Sequence, residues 1–160
     1  GTTISSSQVN TNFSTLATAM PGAKKTVAQG IHLITSTTGA SLVSLAVTPP
    51  ADGQVIVIGT GTITFLQASP ANNFVTFSLN TVAGTLKSPS IIHAFGPYSD
   101  SAPGVGQLVA GSLNIVDVFP VTGGVTTTIY LNAHRDSTNV NKLQAEYPGL
   151  TAIFVPNTLP

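Results

Sequence analysis

Cysteine and tryptophan are absent from this sequence, and charged residues make up only 6% of it. Without cysteine there are no disulfides, no thiolate metal sites and no thiol nucleophile. An ordinary soluble domain carries roughly 25% charged residues. The shortfall is not filled by apolar residues, which stand at 42%, but by Thr, Ser, Asn, Gln and Gly. The surface so implied is polar and nearly uncharged, and such a surface repels its own copies only weakly.

The five basic and five acidic residues cancel. Nucleic-acid binding draws on clustered Lys and Arg against phosphate. The one basic pair here is Lys24-Lys25, so no nucleic-acid partner is expected. Apolar runs such as Val55–Ile58 fall far short of the roughly 20 residues that span a bilayer, so no membrane insertion is expected. The chain opens on Gly1, the start expected of a mature product or an excised fragment.

At 160 residues the chain is long enough for one domain with a substantial core. One segment has helical periodicity. Ser5-Ser6-Ser7 offers N-caps, and Val9, Phe13, Leu16 and Met20 recur at helical spacing until Pro21-Gly22 ends the pattern. Everything after Lys25 has strand character. Val43, Leu45 and Val47 alternate with smaller or polar residues, and Thr48-Pro49-Pro50-Ala51-Asp52-Gly53 then makes a turn.

Gln54–Ile58 is continuous and β-branched, as in a strand buried on both faces. Gly59 and Gly61 suggest a bend before Thr62–Leu66. Val75, Phe77 and Leu79 form one apolar face, and Leu113, Ile115 and Asp117 another. The clearest alternation puts Val125, Thr127, Ile129, Leu131 and Ala133 on one side, with Thr126, Thr128, Tyr130, Asn132 and His134 on the other. Tyr147-Pro148-Gly149 is expected to turn the chain into a last strand at Leu150–Val155. Ser88–Gly106, with three prolines and three glycines, has the composition of a long surface loop. The fold class expected is all-β: an antiparallel jelly-roll sandwich of about eight strands with a short N-terminal helix or arm. Residues 1–25 are assigned to the arm and residues 26–160 to the sandwich.

Four patches together carry a resemblance: Val9-Asn10-Thr11-Asn12-Phe13, Thr48–Gly53, Leu131-Asn132-Ala133-His134-Arg135-Asp136-Ser137, and Leu150-Thr151-Ala152-Ile153-Phe154-Val155-Pro156. The first resembles the short helix before the head of phage-fibre and bacterial surface proteins. The second resembles the turn before a central strand of that head, and the last two resemble its final strands. The family is the complement-head and tumour-necrosis-factor-like jelly roll in its bacterial and phage form. The resemblance implies a two-sheet jelly roll that packs as a trimer and binds through loops or between protomers.

His134-Arg135-Asp136 is the densest polar cluster, but neighbours on a strand point apart, and a solvated strand end accounts for it. His32, His93 and His134 do not fall at metal-ligand spacing. The carboxylates Asp52, Asp100, Asp117, Asp136 and Glu146 are scattered, and no Gly-x-Ser-x-Gly elbow is present. Asp117, inside an apolar strand, is the acid of interest, read as a buried hydrogen-bonded group in preference to a cation site on a symmetry axis.

The function expected is therefore non-enzymatic, with no catalytic residue, cofactor or metal. The leading form is a self-assembling structural or adhesive head, a homotrimer on a virion or bacterial surface. The alternatives are a subunit of an extracellular filament built by N-terminal strand exchange, and a lectin-like module for a surface glycan. The assembly interface is assigned to Ile4, Val9, Phe13, Leu16 and Met20. The candidate ligand contacts are Tyr98, Tyr130 and His134.

Overall fold

In the computed structural model, the described residues are 23–66, 73–87, 91–95, 108–135 and 142–157. They form nine strands: β1 (Ala23–Val27), β2 (Ile31–Leu33), β3 (Ala40–Val47), β4 (Gly53–Leu66), β5 (Asn73–Asn80), β6 (Ile91–Phe95), β7 (Leu108–Val121), β8 (Thr127–Arg135) and β9 (Lys142–Pro156). Sheet A has the order β1-β9-β4-β7, with β2 pairing β9 beyond β1; sheet B has the order β3-β8-β5-β6. All pairings are antiparallel. Because β1 and β2 pair successive stretches of β9, they act as one interrupted strand. The result is two four-stranded layers connected as a jelly roll.

The inner faces supply the core. In sheet B, Val75, Phe77 and Leu79 of β5 lie beside Ile129, Leu131 and Ala133 of β8, all buried. Phe154 is buried from the other sheet, so the apolar stripes expected from the sequence point inward. In β3, Leu45 and Val47 are buried while Val43 is half-buried, because the register shifts between Ser41 and Val43 and admits Leu42 to the core. The turn at Thr48–Asp52 leads into β4, a central strand of sheet A. There Asp52 accepts a 2.8 Å hydrogen bond from the Gly123 amide.

Several sequence expectations need correction. Gln54–Ile58 is not buried on both faces: Val55 and Val57 point inward, whereas Gln54 is exposed and Ile56 and Ile58 are half-buried. Nor do Gly59 and Gly61 bend the chain, since β4 runs unbroken through both. Gly59 is a packing position. A Cβ there would lie 2.7 Å from Ile115 and 3.4 Å from both Leu79 and Leu131. Val125 is exposed ahead of β8. Ser88–Gly106 is not all loop, because Ile91–Phe95 pairs with β5 as β6.

Tyr147-Pro148-Gly149 is not a turn either. It lies within β9, where the pairing with β4 passes from Glu146↔Thr62 to Gly149↔Thr60. Two residues, Tyr147 and Pro148, oppose the single Gly61, which defines a β-bulge. Tyr147 has a φ of 48°, the only positive value at a non-glycine among the described residues. The bulge reverses the side-chain alternation. Leu143 and Ala145 point inward before it, and Leu150, Ala152 and Phe154 after it.

Phe77 is fully buried between the two sheets. Phe77→Ala is expected to cost about 3–5 kcal/mol, read as a lower midpoint in chemical denaturation. A midpoint equal to the parent's would mean that β5 presents a different face.

Candidate contact surfaces

With the core enclosed, the outer faces of the two sheets remain for contact. The outer face of sheet B carries Tyr130, Asn132 and His134 of β8, opposite Asn80, Ser78 and Thr76 of β5. Asn132 is buried although it points away from the core, because residues 81–87 fold back over it. Its amide donates to the carbonyls of Val82 (2.9 Å) and Thr85 (2.7 Å). Its Oδ1 accepts from the Gly84 amide at 2.9 Å. One buried side chain thus makes three hydrogen bonds to the backbone of the loop, and its own amide is fully paired away from water. Ser78, next to Asn132 in register, accepts from the Lys87 amide at 3.1 Å.

The same loop abuts the start of β3. A Cβ on Gly39 would lie 2.0 Å from the Gly84 carbonyl oxygen, and Gly39 has a φ of 117°. Only glycine fits there, for both reasons. At its far end the loop reaches sheet A, where the Lys87 ammonium pairs with Asp117 at 2.5 Å and stands 4.8 Å from the centre of the Phe119 ring. Asp117 is therefore not the buried group expected from its apolar neighbours. Its strand, β7, lies at the edge of sheet A, so the carboxylate is only half-buried and finds its partner on the loop.

The outer face of sheet A is different in kind. Register aligns Ile153, Ile56 and Val118 in one row, and Thr151, Ile58 and Val116 in the next. Val155 and Pro120 flank Gln54 in a third. Val116 is 61% exposed, Val118 42% and Val155 40%. On β9, β4 and β7 these neighbouring side chains form one apolar patch, rimmed by Thr60 and Asn114, with Lys25 of β1 beside Thr151 at one end. A contiguous patch of this sort marks a contact site more often than bare surface. No single stripe in the sequence announces it, because Ile56 and Ile58 read as core and the patch exists only once three strands are in register.

The residues singled out by sequence fall in different places. Ile4, Val9, Phe13, Leu16, Met20 and Tyr98 lie outside the described residues. Tyr130 and His134 share the outer face of sheet B, both half-buried, two residues on either side of Asn132. His134 and Arg135 end β8, with the Arg135 amide donating to the Ser36 carbonyl at 3.0 Å; Asp136 lies outside the described residues. His32 belongs to sheet A, whereas His93 and His134 belong to sheet B. Among the described residues no group of three or more His, Cys, Asp or Glu side chains could hold a metal ion. Asn132, which organises the outer face of sheet B, escaped the sequence reading. A polar residue at an outward strand position looks like ordinary solvated surface.

No protein-family model matches this chain, and no curated protein matches it in sequence. Among solved structures it is similar to dimeric latent PorU from Porphyromonas gingivalis, at 10% identity and a TM-score of 0.51, over 84% of this chain and 13% of that one. Two structures from infectious bursal disease virus also match. The Gx strain structure has 16% identity and a TM-score of 0.43, over 88% of this chain and 33% of that one. The T13 viral particle has 15% identity and a TM-score of 0.36, over 85% and 36%. The chain thus spans between 13% and 36% of these chains, and the likeness to PorU is one of fold.

The loop contacts yield a mutational test. Asn132→Ala removes three hydrogen bonds that hold the loop and is expected to destabilise the domain by about 2–4 kcal/mol in chemical denaturation. Asp117→Asn removes a half-exposed ion pair and should cost no more than about 1 kcal/mol. Equal losses would mean that Asn132 does not organise the loop.

Proposed function

We propose that this chain is a non-enzymatic structural domain of a virion or bacterial surface that works by associating with copies of itself, in its simplest form as a trimeric head. The observation that supports this reading is the apolar patch on the outer face of sheet A, with Val116 61% exposed. Each large apolar side chain left in water forgoes roughly 1.5–3 kcal/mol. In a chain only 6% charged, few ionic groups stand ready to keep two such patches apart. A jelly roll with one apolar outer sheet suits side-by-side packing of like units around an axis. Filament growth is the open-ended form of the same contact.

The test is the mass and shape of the purified particle by light scattering and electron microscopy. A compact particle of about three chains is the expected result, an open fibre would mean that the contact propagates, and a single-chain particle at all concentrations overturns the reading. Because the patch carries no charge on β9, β4 or β7, particle mass should change little between low and physiological salt. Replacing Val116 and Val118 together by Lys should reduce the particle to single chains that keep the parent's circular dichroism spectrum.

A further inference from the structure

Beyond Thr60 and Asn114 the outer face of sheet A changes character. Register sets Ile31, Glu146 and Thr62 in one row, and Gln144 beside Thr64 in the next. The Thr64 hydroxyl donates to Glu146 Oε1 at 3.0 Å, and the Gln144 amide donates to the same oxygen at 3.4 Å. Glu146 Oε2 takes no hydrogen bond among the described residues. The carboxylate is thus held through one oxygen, and the other is left to accept. Glu146 is the one charged side chain in these two rows; the next charged residue along β9, Lys142, pairs with Leu66 beyond them.

Tyr147 follows directly. It belongs to the bulge, in a strand with neighbours on both sides, and is 58% exposed. The inner face is closed by the core, so exposure of that size puts the ring on the outer face beside Glu146. Its amide donates to the Gly30 carbonyl at 2.9 Å, and its φ is 48°. Glycine adopts such a backbone without penalty, whereas a residue with a large side chain is strained there. Strain of this kind gathers where a chain clamps a ligand. The bulge needs only an extra residue to shift the phase of β9, so the fold does not account for an aromatic ring at this position.

We infer that Tyr147, Glu146 and Thr62 form a binding site for a neutral oligosaccharide. A sugar has the two kinds of surface that the site meets. Its C–H face packs on an aromatic ring, whose π face is electron-rich, and its hydroxyls donate to a carboxylate. Ile31, 59% exposed in the same row as Glu146, extends the apolar contact. An acidic sugar is disfavoured, because its charge would face Glu146. Thr64 and Gln144 already fix the carboxylate, so little side-chain freedom is lost on binding. The site lies outside the apolar rows assigned to self-association, and it stands or falls independently of that reading.

The full-length protein is applied to an array of immobilised neutral and acidic oligosaccharides, and those it retains are titrated in solution by calorimetry. Saturable binding of at least one neutral oligosaccharide is expected. Glu146→Gln should lower that affinity at least about tenfold. Tyr147→Phe keeps the ring and should bind like the parent. Tyr147→Gly relieves the backbone, so it should keep an unfolding midpoint near the parent's while losing the sugar.

Retention of no neutral oligosaccharide overturns the inference, as does retention of acidic ones alone. Undiminished binding by Tyr147→Gly also overturns it. Should that variant fail to fold, Glu146→Gln decides on the same measurement, with unchanged affinity sinking the proposal.

Discussion

The fold depends on a change of phase in the middle of its longest strand. β9 crosses almost the whole height of sheet A and pairs with β4 on one side and with β1 and β2 on the other. Side chains alternate strictly along a strand, yet its apolar residues fall at odd positions up to Ala145 and at even positions from Leu150. A regular strand would turn one of these sets to water. The bulge at Tyr147-Pro148 inserts the one residue that brings both sets inward, and Gly61 opposite it adds no side chain to the crowded point. Its Cβ would lie 3.3 Å from Pro148. The consequence spreads to the edge. The Pro148 carbonyl accepts from Ala28, and the Tyr147 amide donates to the Gly30 carbonyl, so the edge strand is split into β1 and β2 where its partner is irregular.

This explains which parts of the fold were legible in the sequence. Val75, Phe77 and Leu79, like Ile129, Leu131 and Ala133, keep an unbroken period of two between well-marked ends, and both stripes read directly. The bulge did not, because proline followed by glycine has the composition of a turn, and only pairing with β4 shows that the strand continues. Gly59 failed for a related reason. A glycine that makes room for Leu79, Leu131 and Ile115 looks, in one dimension, like a glycine that bends the chain. β6 was hidden by the prolines and glycines on either side of it. The patch on sheet A and the role of Asn132 are assembled across strands far apart in sequence, so no local stripe shows either.

The two outer faces are finished in opposite ways. Sheet B is covered by its own chain: residues 81–87 lie over β8 and β5, and the polar groups of that loop are met by Asn132 and Ser78. Burial there depends on hydrogen bonds, so its side chains are small and polar. Among the described residues no such loop lies over Ile56, Ile58, Val116 and Val118 of sheet A, whose side chains are β-branched and apolar. A face meant for permanent solvation would show the polar half of an ordinary alternation.

Two of the few charges sharpen the contrast from the sheet edges. Lys24, on edge strand β1, donates to the Ala46 carbonyl of β3 at 2.6 Å and so bridges the two sheets at one open side. Asp117, on edge strand β7, is held by Lys87 from the loop leaving sheet B, which ties the sheets together near the other side. Charged groups at an edge discourage another strand from pairing there, since their desolvation opposes it. Edge-to-edge growth is thus resisted on both sides of sheet A, while the charges described on its outer face, Lys25 of β1 and Glu146 of β9, leave β4 and β7 uncharged there. The contact left open is the one made by apolar side chains packing flat against an apolar partner.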